Sequence, residues 1–474
     1  MEKFYLTTPI YYVNAQPHIG TAYTTIAADA LARFYRLAGT QTFFLTGTDE
    51  HGSKIEQAAA AAGKTPEEFT DEMAAKFSLT WDMLDIAPDD FIRTTEDRHK
   101  KAVVLFLELL KKSGKIYEDE YEGLYCVGHE AFLNKSDLDE NGLCPDHKKA
   151  PEKLKEKNWF FKLSDYGEIL KQRILSNEFV VAPESRRNEI LAFIDQGLED
   201  VAISRPNVKW GIKIPWDEGQ TVYVWVDALF NYISATDFPK GEKYKQFWPA
   251  DLHIVGKDIT RFHCIIWPAL LEAAKIPWPK KVYAHGFFTI NGQKISKTLG
   301  NVIDPVELAQ KYGPDTVRYF LLREIPFGQD GDFSIEKLEA RYQGDLANGL
   351  GNLFSRVTTL IATKLDGVVP EIVPTPRELK DTALMMAEMR FHEALARIWE
   401  EISWANRYID ETKLWEQAEK NPKLFGEVIC SLVALLGEIA EKLAPIMPET
   451  TEKIRKALAA DSIAKAEPLF PRQK

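Results

Sequence analysis

Phe4-Tyr5-Leu6-Thr7-Thr8-Pro9-Ile10-Tyr11-Tyr12-Val13-Asn14-Ala15-Gln16-Pro17-His18-Ile19-Gly20-Thr21 is the stretch on which the fold turns. Residues 4–8 are aromatic and β-branched enough for a buried strand, Pro9 ends it, and the turn at 17–20 delivers the chain to a helix start. Tyr23, Ile26, Ala27, Ala30, Leu31, Phe34 and Leu37 then recur at three- and four-residue steps until Gly39, and residues 42–46 read as a second strand. The pattern predicts a βαβ unit with a right-handed crossover. A helix N-terminus at the carboxyl edge of a parallel sheet presents free N–H groups and the positive end of the helix dipole, so it suits a phosphate. His18 can donate to a developing oxyanion and Gly20 admits close approach, although His18-Ile19-Gly20 alone fits an ordinary strand-to-helix turn equally well.

A second motif lies at residues 291–301, Asn-Gly-Gln-Lys-Ile-Ser-Lys-Thr-Leu-Gly-Asn. Lys294 and Lys297 flank a turn that can aim both at one anion, and a lysine on a glycine-flanked loop is a movable point charge. Together with residues 7–12, with Leu-Thr-Gly-Thr-Asp-Glu-His-Gly at 45–52, with Tyr-Val-Trp-Val-Asp-Ala at 223–228, and with Val-Gly-Lys-Asp-Ile at 255–259 followed by Phe262-His263, the two motifs resemble the methionyl-tRNA synthetases. Their class I signatures are written HIGH and KMSKS. The resemblance covers nearly the whole chain and departs at Thr21, which stands where the first signature ends in histidine.

The resemblance implies an α/β protein: a Rossmann-like parallel-sheet catalytic domain, an inserted connective domain with a zinc knuckle, and an all-α anticodon-binding helix bundle. The implied division is 1–116 for the first catalytic half, 117–220 for the connective insertion with its knuckle near 122–150, 221–285 for the second catalytic half, 286–340 for the linking domain with the lysine loop, and 341–474 for the bundle. It implies activation of L-methionine with ATP to methionyl-adenylate and pyrophosphate, then transfer to the 3′ end of tRNA(Met). His18, Thr21, Lys294 and Lys297 take the catalytic positions, and His18, Gly20, Thr21, Gly256, Asp258 and Lys297 the ATP positions, with Mg2+ carried by the nucleotide. Asn352, Arg356 and Trp415 match the anticodon readers, Asn352 and Arg356 being four apart on one helix face. For Trp415, core packing stays equally open. A class I enzyme for another amino acid, and a tRNA-binding relative that has lost activation, are the alternatives; the second is raised by Thr21.

The resemblance further implies Ile10, Tyr12, Asp49, Trp225, Ala228, Leu229, Tyr232, Phe262 and His263 as methionine-binding positions. Aromatic rings around a thioether make favourable sulfur contacts, whereas Ala228 and Leu229 also read as core and His263 beside Trp267 also reads as structural. Asp49 can pair with the substrate's ammonium group or cap the following helix. Asp258, just past the strand expected at 252–256, suits ribose hydroxyls.

Composition bounds the rest. A chain of 474 residues with 45% apolar and 27% charged residues is an ordinary multi-unit soluble protein. Residues 1–20 lack the apolar core of a leader, no apolar run is long enough to span a bilayer, and a cytoplasmic protein is expected. The net charge of −12 argues weakly against nucleic acid, but a local basic face and recognition of RNA by shape are unaffected by it. Four cysteines do not make a disulfide scaffold. Cys126-x-x-His129 and Cys144-x-x-His147 share one spacing, with fourteen residues between the pairs, and predict a structural zinc site. Some methionyl-tRNA synthetases carry a knuckle with cysteine at most of these positions and others have lost the metal, which leaves His129 the most open ligand. The chain stops about one helix past the bundle, so a monomer is expected.

Overall fold

The computed structural model describes residues 2–126, 131–133, 138–145, 148–294, 302–371 and 381–471. Seven strands form one parallel sheet: β1 (Lys3–Thr7), β2 (Tyr11–Tyr12), β3 (Gln41–Asp49), β4 (Asp90–Arg93), β5 (Val180–Ala182), β6 (Leu252–Gly256) and β7 (Lys281–His285). β1 and then β2 pair along β3, with Pro9 between them, and β4 pairs with β3 over Leu45–Thr48. That last pair packs closely: a Cβ on Gly47 would meet the Ile92 carbonyl oxygen at 1.9 Å. Beyond β1 the order runs β6, β7, β5.

The predicted βαβ unit is present, with helix α1 (Ile19–Leu37) carrying the chain to β3. α1 is buried continuously from Ala22 to Ala32, which explains its run of small and apolar residues. Because β1 has β3 on one side and β6 on the other, the crevice between the carboxyl ends of β1 and β6 is the switch point where a parallel sheet binds its ligand.

The β-branched and aromatic run at 221–226 reads from sequence as a strand that resumes this sheet, but in the structure it does not. Asp217–Val222 pairs antiparallel with Ser204–Arg205 and Lys213–Ile214, and Val224–Leu229 is helical. A short β-branched run fits a strand or one buried helical turn equally well, and tertiary partners decided between them. Within 117–220, Ile116–Cys126 and Glu152–Phe161 form a long antiparallel pair, but β5 from the same stretch joins the edge of the main sheet against β7.

The C-terminal part is helical: Asn352–Lys364, Phe391–Glu411, Leu414–Lys420, Pro422–Leu443 and Pro448–Leu458 are its principal elements. Residues 376–411 read from sequence as one helical run; in the structure Ala383–Ala387 is separated from Phe391–Glu411 by Met389 at φ +60°, and residues 376–380 lie outside the described residues. One buried cluster runs without interruption from α1 to these helices. The Pro314–Glu324 helix ties them together, since Arg318 reaches Asp29 of α1 at 2.6 Å and the carbonyls of Pro445 and Ile446 at 3.0 and 2.8 Å. On the same helix, Asp315 accepts from the Thr450 backbone N–H at 2.6 Å and so caps the last helix, whose own N-cap, Met447, makes no side-chain cap bond.

Candidate active site

His18 is the N-cap of α1, extended at φ −135° and ψ 173°. Its Nδ1 accepts from the Gly20 N–H at 3.1 Å, so the neutral ring carries its proton on Nε2. Thr21 closes the same turn: its hydroxyl accepts from the His18 N–H at 3.0 Å and donates to the His18 carbonyl at 2.7 Å. The residue that departs from the signature therefore acts as half of a capping box.

The first N–H of α1 is taken from outside the helix. The Ile303 carbonyl accepts from the Ile19 N–H at 3.1 Å, which anchors the far flank of the lysine motif at the start of α1. The near flank is the two-stranded turn of Phe288–Ile290 and Gln293–Lys294. Lys297 and the Lys294 side chain lie outside the described residues.

At the carboxyl end of β6, a Cβ on Gly256 would meet Asp258 Oδ1 at 2.5 Å, so the glycine is what lets Asp258 fold back over the strand end. Asp258 is exposed on the short turn Lys257–Ile259. At the end of β7, His285 bolts the sheet to α1: its Nδ1–H donates to the Gly286 carbonyl at 2.8 Å, and its Nε2 meets the Thr24 hydroxyl at 2.7 Å. Burial holds His285 down at about 4, so the ring is neutral. Sequence reasoning missed both residues, although a histidine ending a sheet strand was visible.

Several of the residues expected to bind methionine are neighbours. Asp49 is the last residue of β3 and pairs in register with Tyr12 of β2. The helix that follows, Ser53–Ala61, has Gly52 as its N-cap residue. The Trp225 and Phe262 rings stack with centroids 4.6 Å apart and planes at 15°. Ile10, Tyr12, Trp225 and Phe262 are half-buried against the apolar cluster that holds Leu229 and Tyr232. On the Val224–Leu229 helix, Trp225 and Ala228 are the partly open positions, three apart on one face, whereas Leu229 is buried among core residues. His263 sits in the wide π turn Phe262–Ile266; its Nδ1–H donates to the Ile259 carbonyl at 2.9 Å, so its Nε2 accepts from the Tyr232 hydroxyl at 2.6 Å. Burial keeps this imidazole neutral as well, at about 4. The pair is polar but uncharged, which suits a thioether.

In the helical part, Asn352 Nδ2 donates to Asn406 Oδ1 at 2.9 Å, and Arg356 bonds the Asn406 carbonyl at 3.3 Å and pairs with Asp410. Asn406 thus joins the two predicted readers and was not found from sequence, being fifty residues away. Trp415 is 44% exposed, which sets aside the core-packing reading. Cys126 and Cys144 are buried and in no disulfide, and Cys144 opens a tight loop in which its N–H donates to the Lys149 carbonyl at 2.9 Å and its carbonyl accepts from Lys148 N at 2.8 Å. His129 and His147 lie outside the described residues, and among the described residues no group of three or more metal-binding side chains converges.

A family model described as tRNA synthetases class I (M) matches residues 4–153 and 135–358. The methionine–tRNA ligase of Thermotoga maritima is 46% identical over 470 residues, spanning 95% of this chain and 74% of that one. That of Rickettsia felis is 44% identical over 483 residues, spanning 98% and 93%. Among solved structures, Mycobacterium tuberculosis methionyl-tRNA synthetase in complex with methionyl-adenylate superposes with a TM-score of 0.93 at 37% identity, over 100% of both chains. The free form of the same enzyme gives 0.84 at 35% identity, over 100% of this chain and 99% of that one.

Proposed function

The chain belongs to the methionine–tRNA ligase family of class I tRNA synthetases, and from that premise we propose how its residues divide the work of joining methionine to tRNA. As a ligase of this family it activates methionine with ATP to methionyl-adenylate and pyrophosphate, then passes the acyl group to the 3′ end of tRNA(Met). The first step is in-line attack of a carboxylate on the α-phosphorus, so the protein's task is to position groups and stabilise charge.

Asp49 pairs with the ammonium group; Trp225, Ala228, Tyr232, Phe262 and His263, with Ile10 and Tyr12 at the rim, enclose the thioether. Asp258 holds the ribose hydroxyls where Gly256 leaves space. The Nε2–H of His18 and the N-terminal dipole of α1 meet phosphate oxygens, Thr21 keeps that helix start closed, and Lys294 and Lys297 take the charge of the departing pyrophosphate. Mg2+ bound to ATP supplies further neutralisation of the phosphates. The observation that carries this reading is the bond from Ile19 N–H to Ile303 carbonyl, because it joins the two signature regions across one helix start. In pyrophosphate exchange tried with each of the twenty amino acids, methionine is expected to give the dominant signal. No methionine-dependent exchange, or stronger exchange with leucine, isoleucine or cysteine, overturns the reading.

Asn352, Arg356 and Trp415 are proposed to read the anticodon, the exposed indole offering a stacking face. Trp415→Ala is expected to lower tRNA charging about tenfold, as loss of one stacked base does, with exchange nearly intact. Equal losses in both assays would make Trp415 a support of the fold.

Cys126, His129, Cys144 and His147 are proposed to hold one structural zinc. The buried thiols and the tight loop at Cys144 are suited to tetrahedral coordination, and the metal would stabilise that loop. Elemental analysis of protein purified without chelators is expected to give about one zinc per chain, lost in Cys144→Ser; metal-free protein sinks the assignment. The enzyme is proposed to work in the cytoplasm as a monomer. Among the described residues no helix is long and apolar enough to cross a membrane, and a sedimentation mass near twice that of one chain would overturn the monomer.

A further inference from the structure

We propose that Asp227 is a positioning residue for methionine: it fixes the spacing between the carboxylate that receives the ammonium group and the rings that receive the thioether. The proposal rests on the assignment of Asp49 and Trp225 to those two ends of the substrate.

Asp227 lies on the Val224–Leu229 helix between Trp225 and Ala228, yet it faces the other way and is only 1% exposed. Its Oδ2 accepts from His51 Nδ1 at 2.7 Å, and its Oδ1 accepts from His99 Nε2 at 2.8 Å. His51 is two residues past Asp49, on the turn that leaves β3. That turn is held in its own right: Trp210 donates through Nε1 to the Glu50 carbonyl at 2.5 Å and accepts at its backbone carbonyl from Gly52 N at 3.0 Å. His99 comes from the Asp97–Lys112 helix, and its Nδ1 meets the Ser234 hydroxyl at 2.9 Å, just past Tyr232. One carboxylate therefore binds together the turn after Asp49, the helix that carries Trp225 and Ala228, and, through His99, the short helix Asn231–Ser234 that carries Tyr232.

A buried carboxylate is costly unless it is paired, and a pair that is fully satisfied has one geometry. Burial pushes the Asp227 carboxyl up, but the charge and hydrogen bond of His51, followed by those of His99, outweigh it and hold the group at about 2. The carboxylate is thus a permanent acceptor for both imidazoles. It touches neither substrate end, which makes it a residue that acts through its neighbours.

The test is pyrophosphate exchange with methionine and ATP titrated separately. Asp227→Asn removes the charge from both bonds at nearly constant volume and is expected to raise the methionine KM by roughly ten- to a hundredfold. The ATP KM should stay within about twofold, because Gly256, Asp258 and the start of α1 do not touch the network. His99→Ala should raise the methionine KM in the same direction, and His99→Gln, whose amide can donate to Asp227 Oδ1, should recover most of that loss. This pair tests the idea even if Asp227→Asn fails to fold. A methionine KM unchanged in folded Asp227→Asn, equal rises in both KM values, or no difference between His99→Ala and His99→Gln overturns the proposal. Asp49→Asn in the same assay separates it from its premise. An unchanged methionine KM there overturns the Asp49 assignment and the proposal together, whereas a raised value there beside an unchanged one in Asp227→Asn overturns the proposal alone.

Discussion

His18→Ala is expected to slow methionine-dependent pyrophosphate exchange by about 10²- to 10³-fold, the loss typical of removing one donor to a developing oxyanion. The imidazole performs two tasks at one atom pair. Nδ1 caps the Gly20 N–H, and that bond is what commits the ring proton to Nε2. Alanine removes both, and loss of the cap alone costs about 1 kcal/mol of helix stability. His18→Asn separates them, because asparagine is among the best N-caps and keeps an acceptor for Gly20, while its short amide does not extend to where Nε2 stands. Unfolding of the asparagine variant should match the parent, and its exchange rate should stay close to that of the alanine variant. An alanine variant within about threefold of the parent would remove His18 from the chemistry.

Thr21→His belongs to the same experiment. The parent hydroxyl closes the capping box, so histidine trades a local bond for a ring donor at the helix start. Exchange is expected to hold or rise while stability falls by about 1 kcal/mol. A parent inactive until Thr21 becomes histidine would mean that this position had switched catalysis off.

What could be read beforehand depended on how far apart the interacting residues are along the chain. The β1–α1–β3 unit was legible because its strands and helix carry their own periodicity; the start of the Pro66–Met83 helix was legible because Thr65-Pro66-Glu67-Glu68 reads as a capping box with proline at the first helical position, and Thr65 and Glu68 do satisfy each other within one turn. The run 221–226 read as a strand of the main sheet, whereas residues up to Val222 pair with Ser204 and Arg205 and Val224 onward is helical, since which partners a β-branched run joins is decided outside the run itself. The site shows the same division. Asp49, Asp258 and His263 stand next to turns and are visible as types in context. His51, His99 and Asp227 converge from 51, 99 and 227, and no local rule links a buried carboxylate to imidazoles at such separations. Arg318, buried in an otherwise ordinary helix, has partners numbered 29, 84, 85, 445 and 446, and nothing in Pro314–Glu324 announces them.

Arg318→Met should for that reason produce the largest loss of stability of any single change considered, about 3 to 5 kcal/mol. A guanidinium has five N–H donors, and here each has a partner: Nε meets the Ile446 carbonyl at 2.8 Å, Nη1 the Leu84 and Asp85 carbonyls at 3.3 and 3.0 Å, and Nη2 the Asp29 carboxylate and the Pro445 carbonyl at 2.6 and 3.0 Å. Methionine fills much of the volume but takes the guanidinium away from the Leu84, Pro445 and Ile446 carbonyls, while the Asp85 carbonyl keeps Arg33 Nη2 at 2.6 Å. Asp29 is not left bare, because Arg33 Nε at 2.7 Å and the Ala87 N–H at 2.9 Å still reach it, which limits the penalty to that of one broken buried pair. Arg318→Lys should recover little, since an ammonium has three donors and no planar fork to span α1 and the 445–446 turn at once. The partners also fix how the variant fails. Arg318 joins α1 to the C-terminal helices, so in denaturant the methionine variant should lose the parent's coincidence of probes, with tryptophans of the helical part, Trp399 and Trp404, reporting unfolding before exchange activity is lost. A loss below about 1 kcal/mol with a single coincident transition would show that the apolar cluster holds these two parts together without the arginine.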